Sequence, residues 1–286
     1  MGYTAEISRQ NPACLVFVVD QSRSMSMTIE SGQTKAQFLA DVLNKTLHTM
    51  VLTCSKEEGV RDYFYVSIIA YSGPKQTYGN TGARNGFDGA LRSDLIQPIS
   101  RLADNPIRIE NRSRKVSLET GEFLERSVKF PVWFEPASKG WTTMCAGLRM
   151  AASLARDWVS RYPGSYPPTI LHVTDGHPTD GDPEVPAAEI RSVATEDGQA
   201  ILFNLHVDIG PMKPCTFPAH DSGLPDDYAK RLFRMSSVLP QHLQDAARSK
   251  GYSLQAGARG FVFNAGLESI ADFFDIGTRA RKPVDR

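Results

Sequence analysis

Short unbroken apolar runs alternate along the chain with stretches in which apolar residues recur every three or four positions. The first run, Cys14–Val19, predicts a buried strand, and after a polar loop Phe38, Val42, Leu43 and Leu47 share one face of a helix predicted over about Thr34–Thr53. A β-rich stretch, Tyr63–Tyr71, closes at Ser72-Gly73-Pro74. Further on, the pattern predicts helix Met144–Ser160, strand Thr169–Val173, helix Glu184–Thr195 and strand Ala200–Val207. Helix Gln241–Ser249, strand Gly260–Phe263 and helix Leu267–Thr278 complete it. Apolar strands separated by amphipathic helices imply a parallel sheet covered on both faces. The expected fold is therefore α/β, Rossmann-like and doubly wound, with a mostly parallel central sheet.

The alternation breaks between Lys75 and Gly140. This stretch is turn-rich from Gly79 to Gly89, offers strand candidates at Ile107–Glu110 and Val128–Phe134, and has no strong helix, so it reads as a β-rich insertion over residues 75–140. A Pro-rich segment, Gly210–Pro240, carries an amphipathic helix candidate at Asp226–Met235. It is expected to close over the sheet edge or to join a binding surface. One domain, residues 11–280, accounts for the chain, with residues 281–286 as a solvated tail.

Composition narrows the function classes. The 32 basic and 32 acidic side chains cancel, so no global field draws the molecule to nucleic acid or to an anionic membrane. Arg101, Arg108, Arg112, Arg114 and Lys115 are interspersed with Asp104 and Glu110 and lack interleaved aromatics, which reads as a solvated hairpin. The longest apolar runs fall far short of the roughly 20 residues that cross a bilayer. With no apolar signal-peptide core after Met1, the expected location is cytoplasmic. Cys14, Cys54, Cys145 and Cys215 lie too far apart for a zinc knuckle or redox pair and are expected to be thiols.

Candidate chemistry gathers where strands end. Asp20-Gln21-Ser22-Arg23-Ser24-Met25 follows the first strand, and Asp175 follows the apolar strand in Leu171-His172-Val173-Thr174-Asp175-Gly176. Gly140-Trp141-Thr142-Thr143-Met144 opens a helix. Open α/β sheets bind ligands outside the carboxyl ends of their strands. Asp20, Ser22, Ser24, Thr142 and Asp175 would then supply oxygen ligands only, a set suited to Mg²⁺ or Mn²⁺ more than to Ca²⁺ or zinc. Two carboxylates balance a dication, which leaves an incoming anionic ligand favourable. The competing reading is a capping turn, in which Asp20, Ser22 and Ser24 satisfy backbone N–H groups without a metal.

The DxSxS run, the Gly-x-Thr before a helix and the Thr-Asp-Gly after a buried strand together resemble the metal-ion-dependent adhesion site of von Willebrand factor A domains. The likeness extends to the bacterial stand-alone cytosolic proteins of that family and covers about Asn11–Ala280. It implies direct metal contacts from Ser22 and Ser24, water-mediated contacts from Asp20 and Asp175, and a contact of either kind from Thr142. Thr143 competes for that last role, although Gly140, Thr142, Met144 and Leu148 fit the family spacing better. Arg23 stands where such domains commonly carry glycine; its cation either clamps an acidic ligand or faces solvent.

The resemblance further implies a noncatalytic protein-binding module whose partner completes the coordination with an exposed Glu or Asp. It also implies an adaptor's place beside AAA-type ATPases or kinase and phosphatase systems. The alternatives are a haloacid-dehalogenase-type phosphotransfer enzyme, whose expected second acid is here Ser22, and a scaffold with an unused site. No Walker loop, GxSxG elbow or HExxH helix occurs. His172 reads as a hydrogen-bonded core residue, His177 as a surface residue that could line the ligand approach, and Asp180, Asp182 and Glu184 as the start of the next helix.

Overall fold

The computed structural model describes residues 2–29, 31–74, 82–117, 123–207, 214–264 and 267–278. Its strands and helices follow in the order β1 (Ala13–Asp20), α1 (Lys35–Cys54), β2 (Phe64–Tyr71), β3 (Ala83–Asn85), β4 (Gln97–Pro98), α2 (Ile99–Asp104), β5 (Arg108–Ser117) and β6 (Phe123–Val132). Then come α3 (Met144–Arg161), β7 (Thr169–Thr174), α4 (Glu184–Ser192), β8 (Ile201–His206), β9 (Cys215–Thr216), α5 (Asp227–Met235), α6 (Gln241–Ser249), β10 (Phe261–Phe263) and α7 (Leu267–Gly277). Two-residue hairpins at Ser55–Val60 and Ala194–Gln199 lie apart from this frame.

The central sheet runs β9-β10-β8-β7-β1-β2-β3, with β4 also paired to β2. β10, β8, β7, β1 and β2 are parallel. The short outer strands β3, β4 and β9 pair antiparallel. Every residue of β1, β7 and β8 is buried, as expected of strands covered on both faces. One face packs on α1, α2, α6 and α7 through residues such as Leu43, Leu102, Leu243 and Phe273. The other packs on α3, α4 and α5 through Leu148, Ile190 and Leu232. This is the doubly wound architecture expected from the alternation.

The expected insertion is divided in the structure. β3 and β4 extend the main sheet beyond β2, and Ile99 and Leu102 are buried on the six-residue α2, a helix that the broken periodicity conceals. Only β5 and β6 form a separate two-stranded ribbon, with ten residues in each strand, longer than either expected strand. Asn44 of α1 fixes the ribbon's exit. Its Oδ1 accepts the backbone N–H of Trp133 at 2.9 Å and of Phe134 at 3.0 Å, and its Nδ2 donates to the Phe134 carbonyl at 2.9 Å. α4 ends at Ser192 rather than Thr195, because Ala194 and Thr195 enter a hairpin. Residues 75–81, residues 210–213 at the start of the Pro-rich segment, and the 281–286 tail lie outside the described residues.

Within the Pro-rich segment, β9 adds an edge strand to β10 and α5 packs over the sheet, so this segment closes the edge. Cys14, Cys54 and Cys145 are buried thiols and Cys215 is half-buried. Burial pushes the Cys145 thiol up to about 12, which leaves it protonated and unreactive at neutral pH. Among the described residues, no helix is long and apolar enough to cross a membrane.

Candidate metal centre

β1 and β7 are hydrogen-bonded neighbours, with Val19 opposite Val173, so the loops that follow them leave the sheet side by side. A third loop reaches the same edge through a backbone clasp. Trp141 N donates to the Gly73 carbonyl at 2.7 Å, and Gly73 N donates back to the Trp141 carbonyl at 3.1 Å. Gly140 makes that approach possible: its φ is +75°, and a Cβ there would stand 2.7 Å from the Gly73 oxygen. Arg23 N donates to the Gly140 carbonyl at 3.0 Å and ties the first and third loops together.

Four of the expected oxygens converge around Gly176. Ser24 Oγ donates to Asp175 Oδ1 at 2.5 Å. With its proton committed there, Ser24 accepts from Ser22 Oγ at 3.1 Å. A Cβ on Gly176 would lie 3.4 Å from Thr142 Oγ1 and 3.6 Å from Ser24 Oγ, so both hydroxyls face the same small space. Thr143 is turned away, since its Oγ1 donates to the Gly82 carbonyl at 2.8 Å. Of the two threonines, Thr142 therefore has the hydroxyl at the cluster.

Asp20 sits behind this cluster. It is 1% exposed, Oδ1 accepts Ser22 N–H at 2.8 Å, and Oδ2 accepts the Thr174 hydroxyl at 3.0 Å. The first of these bonds is the Asx turn of the capping reading, but Ser22 makes no side-chain cap to the short 3₁₀ helix Arg23–Ser26. The serine hydroxyls are thus directed at each other and at Asp175 rather than at backbone. Burial, reinforced by the charge of Asp175, pushes the Asp20 carboxyl up to about 6. No ion pair reaches Asp20 among the described residues.

Several contributors carry no motif. Lys35, at the first position of α1, is fully buried and places Nζ 3.2 Å from Asp175 Oδ2. Thr174 accepts Gly176 N–H at 3.2 Å while donating to Asp20. Tyr228 of α5 donates to the Gly176 carbonyl, and the His177 ring lies tilted against its ring at 4.1 Å between centroids. His177 and Arg23, on the loops that carry the cluster, are exposed, and so is Trp141 at 43%. Asp180 does not begin the next helix. Its carboxylate accepts the Cys145 and Ala146 N–H groups at 3.0 and 2.9 Å, which caps α3 from the neighbouring loop. Glu184 does stand in the first turn of α4, and Asp182 accepts its N–H at 3.0 Å.

The donor set fits a hard cation. It consists of two carboxylates and three hydroxyls, and among the described residues no sulfur or imidazole hydrogen-bonds to them. Among the described residues, no three His, Cys, Asp or Glu side chains form a metal-binding group, so a cation here would depend on Ser and Thr oxygens. With Lys35 included, the formal charge of the buried groups is one negative.

No family model matches the chain, and no curated protein matches it. Proximal thread matrix protein 1 from the mussel byssus overlaps 97% of this chain at 11% identity, with a TM-score of 0.47. The PilB minor pilin of Streptococcus sanguinis overlaps 94% at 12% identity and a TM-score of 0.43. The vWF domain of the type V pili tip protein Mfa5 from Porphyromonas gingivalis overlaps 59% at 14% identity and a TM-score of 0.31. This chain spans 49%, 61% and 39% of those three chains, respectively.

Proposed function

We propose that the chain is a noncatalytic protein-binding module of von Willebrand factor A type that holds Mg²⁺ or Mn²⁺ at the sheet's carboxyl edge. Ser22, Ser24 and Thr142 would hold the ion with Asp20 and Asp175, and an acidic side chain of a partner would complete the site. The observation that carries this reading is Asp20, a carboxylate buried beside a second one with no cation paired to it among the described residues. A buried charge without compensation is costly, and its raised pKa registers that cost. A bound cation would supply the missing charge and, as a Lewis acid with an open position, attract a carboxylate. The exposed Arg23 and Trp141 on the loops that carry the cluster are residue types that dominate protein interfaces. Service as an adaptor, beside an AAA-type ATPase or a kinase and phosphatase pair, belongs to the same proposal.

The test is calorimetric titration of Mg²⁺ and Mn²⁺ into the protein and into a D20A/S22A variant. Circular dichroism checks both folds, and a generic phosphate ester checks for turnover. Binding confined to the wild type, without turnover, together with Mg²⁺-dependent retention on Glu peptides but not on their Gln counterparts, is the expected result. Phosphatase activity that disappears with Asp20 would replace this reading by an enzymatic one.

A further inference from the structure

We propose that Lys35 is the site's own counter-ion: its ammonium takes the place of a cation when the site is metal-free, and it sets how strongly a divalent ion binds. This inference rests on the metal-binding reading above. Lys35 and Asp175 both have side chains with no solvent exposure, and Nζ approaches Oδ2 to 3.2 Å. The other oxygen of the same carboxylate, Oδ1, accepts Ser24 Oγ at 2.5 Å. Asp175 is therefore shared, with one oxygen facing the hydroxyl cluster and the other facing the lysine.

The helix itself has no use for this lysine. Thr34 accepts Gln37 N–H at 3.1 Å, and Gln37 Oε1 accepts Thr34 N–H at 2.9 Å, so the capping box is complete without it. The first turn of a helix carries positive partial charge, which disfavours a cation there. Burying an ammonium is costly unless it is paired. Lys35 meets both penalties, and the Asp175 carboxylate is a partner that offsets them.

Charge arithmetic gives the consequence. Asp20 and Asp175 alone present two negative charges, which a dication would neutralise. With Lys35 they present one, so the loaded site would carry one positive charge and require an anionic ligand to become neutral. Lys35 thereby lowers the affinity for the metal while raising the demand for an acidic partner. It acts through Asp175 and is a positioning residue, not a ligand.

The experiment is Mn²⁺ calorimetry on wild type, Lys35→Met and Lys35→Arg, with a double-mutant cycle in EDTA between Lys35→Met and Asp175→Asn read by chemical denaturation. The proposal expects Lys35→Met to bind Mn²⁺ at least ten-fold more tightly than wild type and Lys35→Arg to bind like wild type. In the cycle, the destabilisation by Lys35→Met is expected to fall by at least half when Asp175 is already Asn. A folded Lys35→Met protein with unchanged or weaker Mn²⁺ affinity overturns the proposal. If Lys35→Met does not fold, Lys35→Gln takes its place in both measurements. If no variant and no wild type binds Mn²⁺, the metal-binding reading fails and the cycle alone decides: persisting coupling keeps Lys35 as the counter-ion of Asp175, and additivity overturns it.

Discussion

His172 shows how a polar residue is tolerated in the middle of a buried strand. Nδ1 lies 2.8 Å from Asn204 Oδ1 and Nε2 lies 2.9 Å from Tyr71 Oη, so the neutral ring donates on one side and accepts on the other. Asn204 passes the chain on through Nδ2 to Ser236 Oγ at 2.9 Å, and Ser236 donates to the Leu232 carbonyl. Burial holds the imidazole down at about 4, against an ordinary 6.5. Because the folded value is depressed, the unfolded chain takes up the proton first, and stability is lost as pH falls from about 6.5 to about 4. The loss is on the order of 3 kcal/mol. Asp20 acts oppositely, since its raised folded value makes the metal-free protein more stable as pH falls through about 6. The raw pH profile therefore conceals both, and the informative quantity is the stability difference between wild type and His172→Gln in EDTA. It should be constant above pH 7 and move against wild type toward pH 4; a flat difference would exclude the titration. In the sequence, Asp20, Ser22, Ser24, Thr142 and Asp175 are visible because each stands at a strand end or a helix start. Lys35 and Thr174 are not, because their roles depend on which side chain the fold places opposite them. Only the placement of a lysine in a first helical turn, against the helix dipole, hints at the former.

At the scale of elements, the site is as rigid as the start of α3. Asp180 accepts two of its N–H groups, and Thr179 donates both N–H and Oγ1 to the Thr142 carbonyl, at 2.9 and 3.1 Å. The loop after β7 and the turn before α3 are thereby one unit, with Thr142 and Asp175 at its two ends. Asp180→Ala removes both acceptors and should cost about 0.5–2 kcal/mol, the range for loss of a helix cap. Denaturant titration measures that cost. If the unit also positions the cation, Mn²⁺ affinity in calorimetry should fall in the same variant, although Asp180 is not itself a ligand. Unchanged stability would show that the α3 terminus needs no such cap. The sequence conceals this link because an acid two to four residues before a helix is normally taken as that helix's own start. The strands and helices with a strong period are legible for the opposite reason, since burial on both faces imposes unbroken apolar runs on β1, β7 and β8. β3, β4, α2 and β9 are three, two, six and two residues long, too short to show a period.

For the molecule as a whole, the β5–β6 ribbon is the part outside the two cores that cover the sheet. Its base is well held: Arg112 lies 2.8 Å from both Asp41 of α1 and Glu110, its guanidinium sits over the Phe130 ring at 3.6 Å, and Trp133 Nε1 donates to the Leu102 carbonyl at 2.7 Å. Ile109 and Val128 are nevertheless exposed on the ribbon. A two-stranded ribbon alone is marginal in water, so the described residues beyond these anchors are expected to add little to global stability. Ser113 and Ser127 are register partners, which fixes where it can be shortened. Replacing Arg114–Arg126 by Asn-Gly supplies a two-residue turn compatible with the strand twist. The shorter loop should offset part of any lost contact through its smaller closure entropy. Stability is expected within about 1 kcal/mol of wild type, with a single cooperative transition. Mn²⁺ binding should be unaltered, because among the described residues the cluster around Gly176 draws no side chain from the ribbon. A large loss of stability would instead make the ribbon a third packing layer on α1. Retained stability with altered metal affinity would mean that the ribbon reaches the site electrostatically, through the Arg112–Asp41 contact and α1 to Lys35 at its first turn.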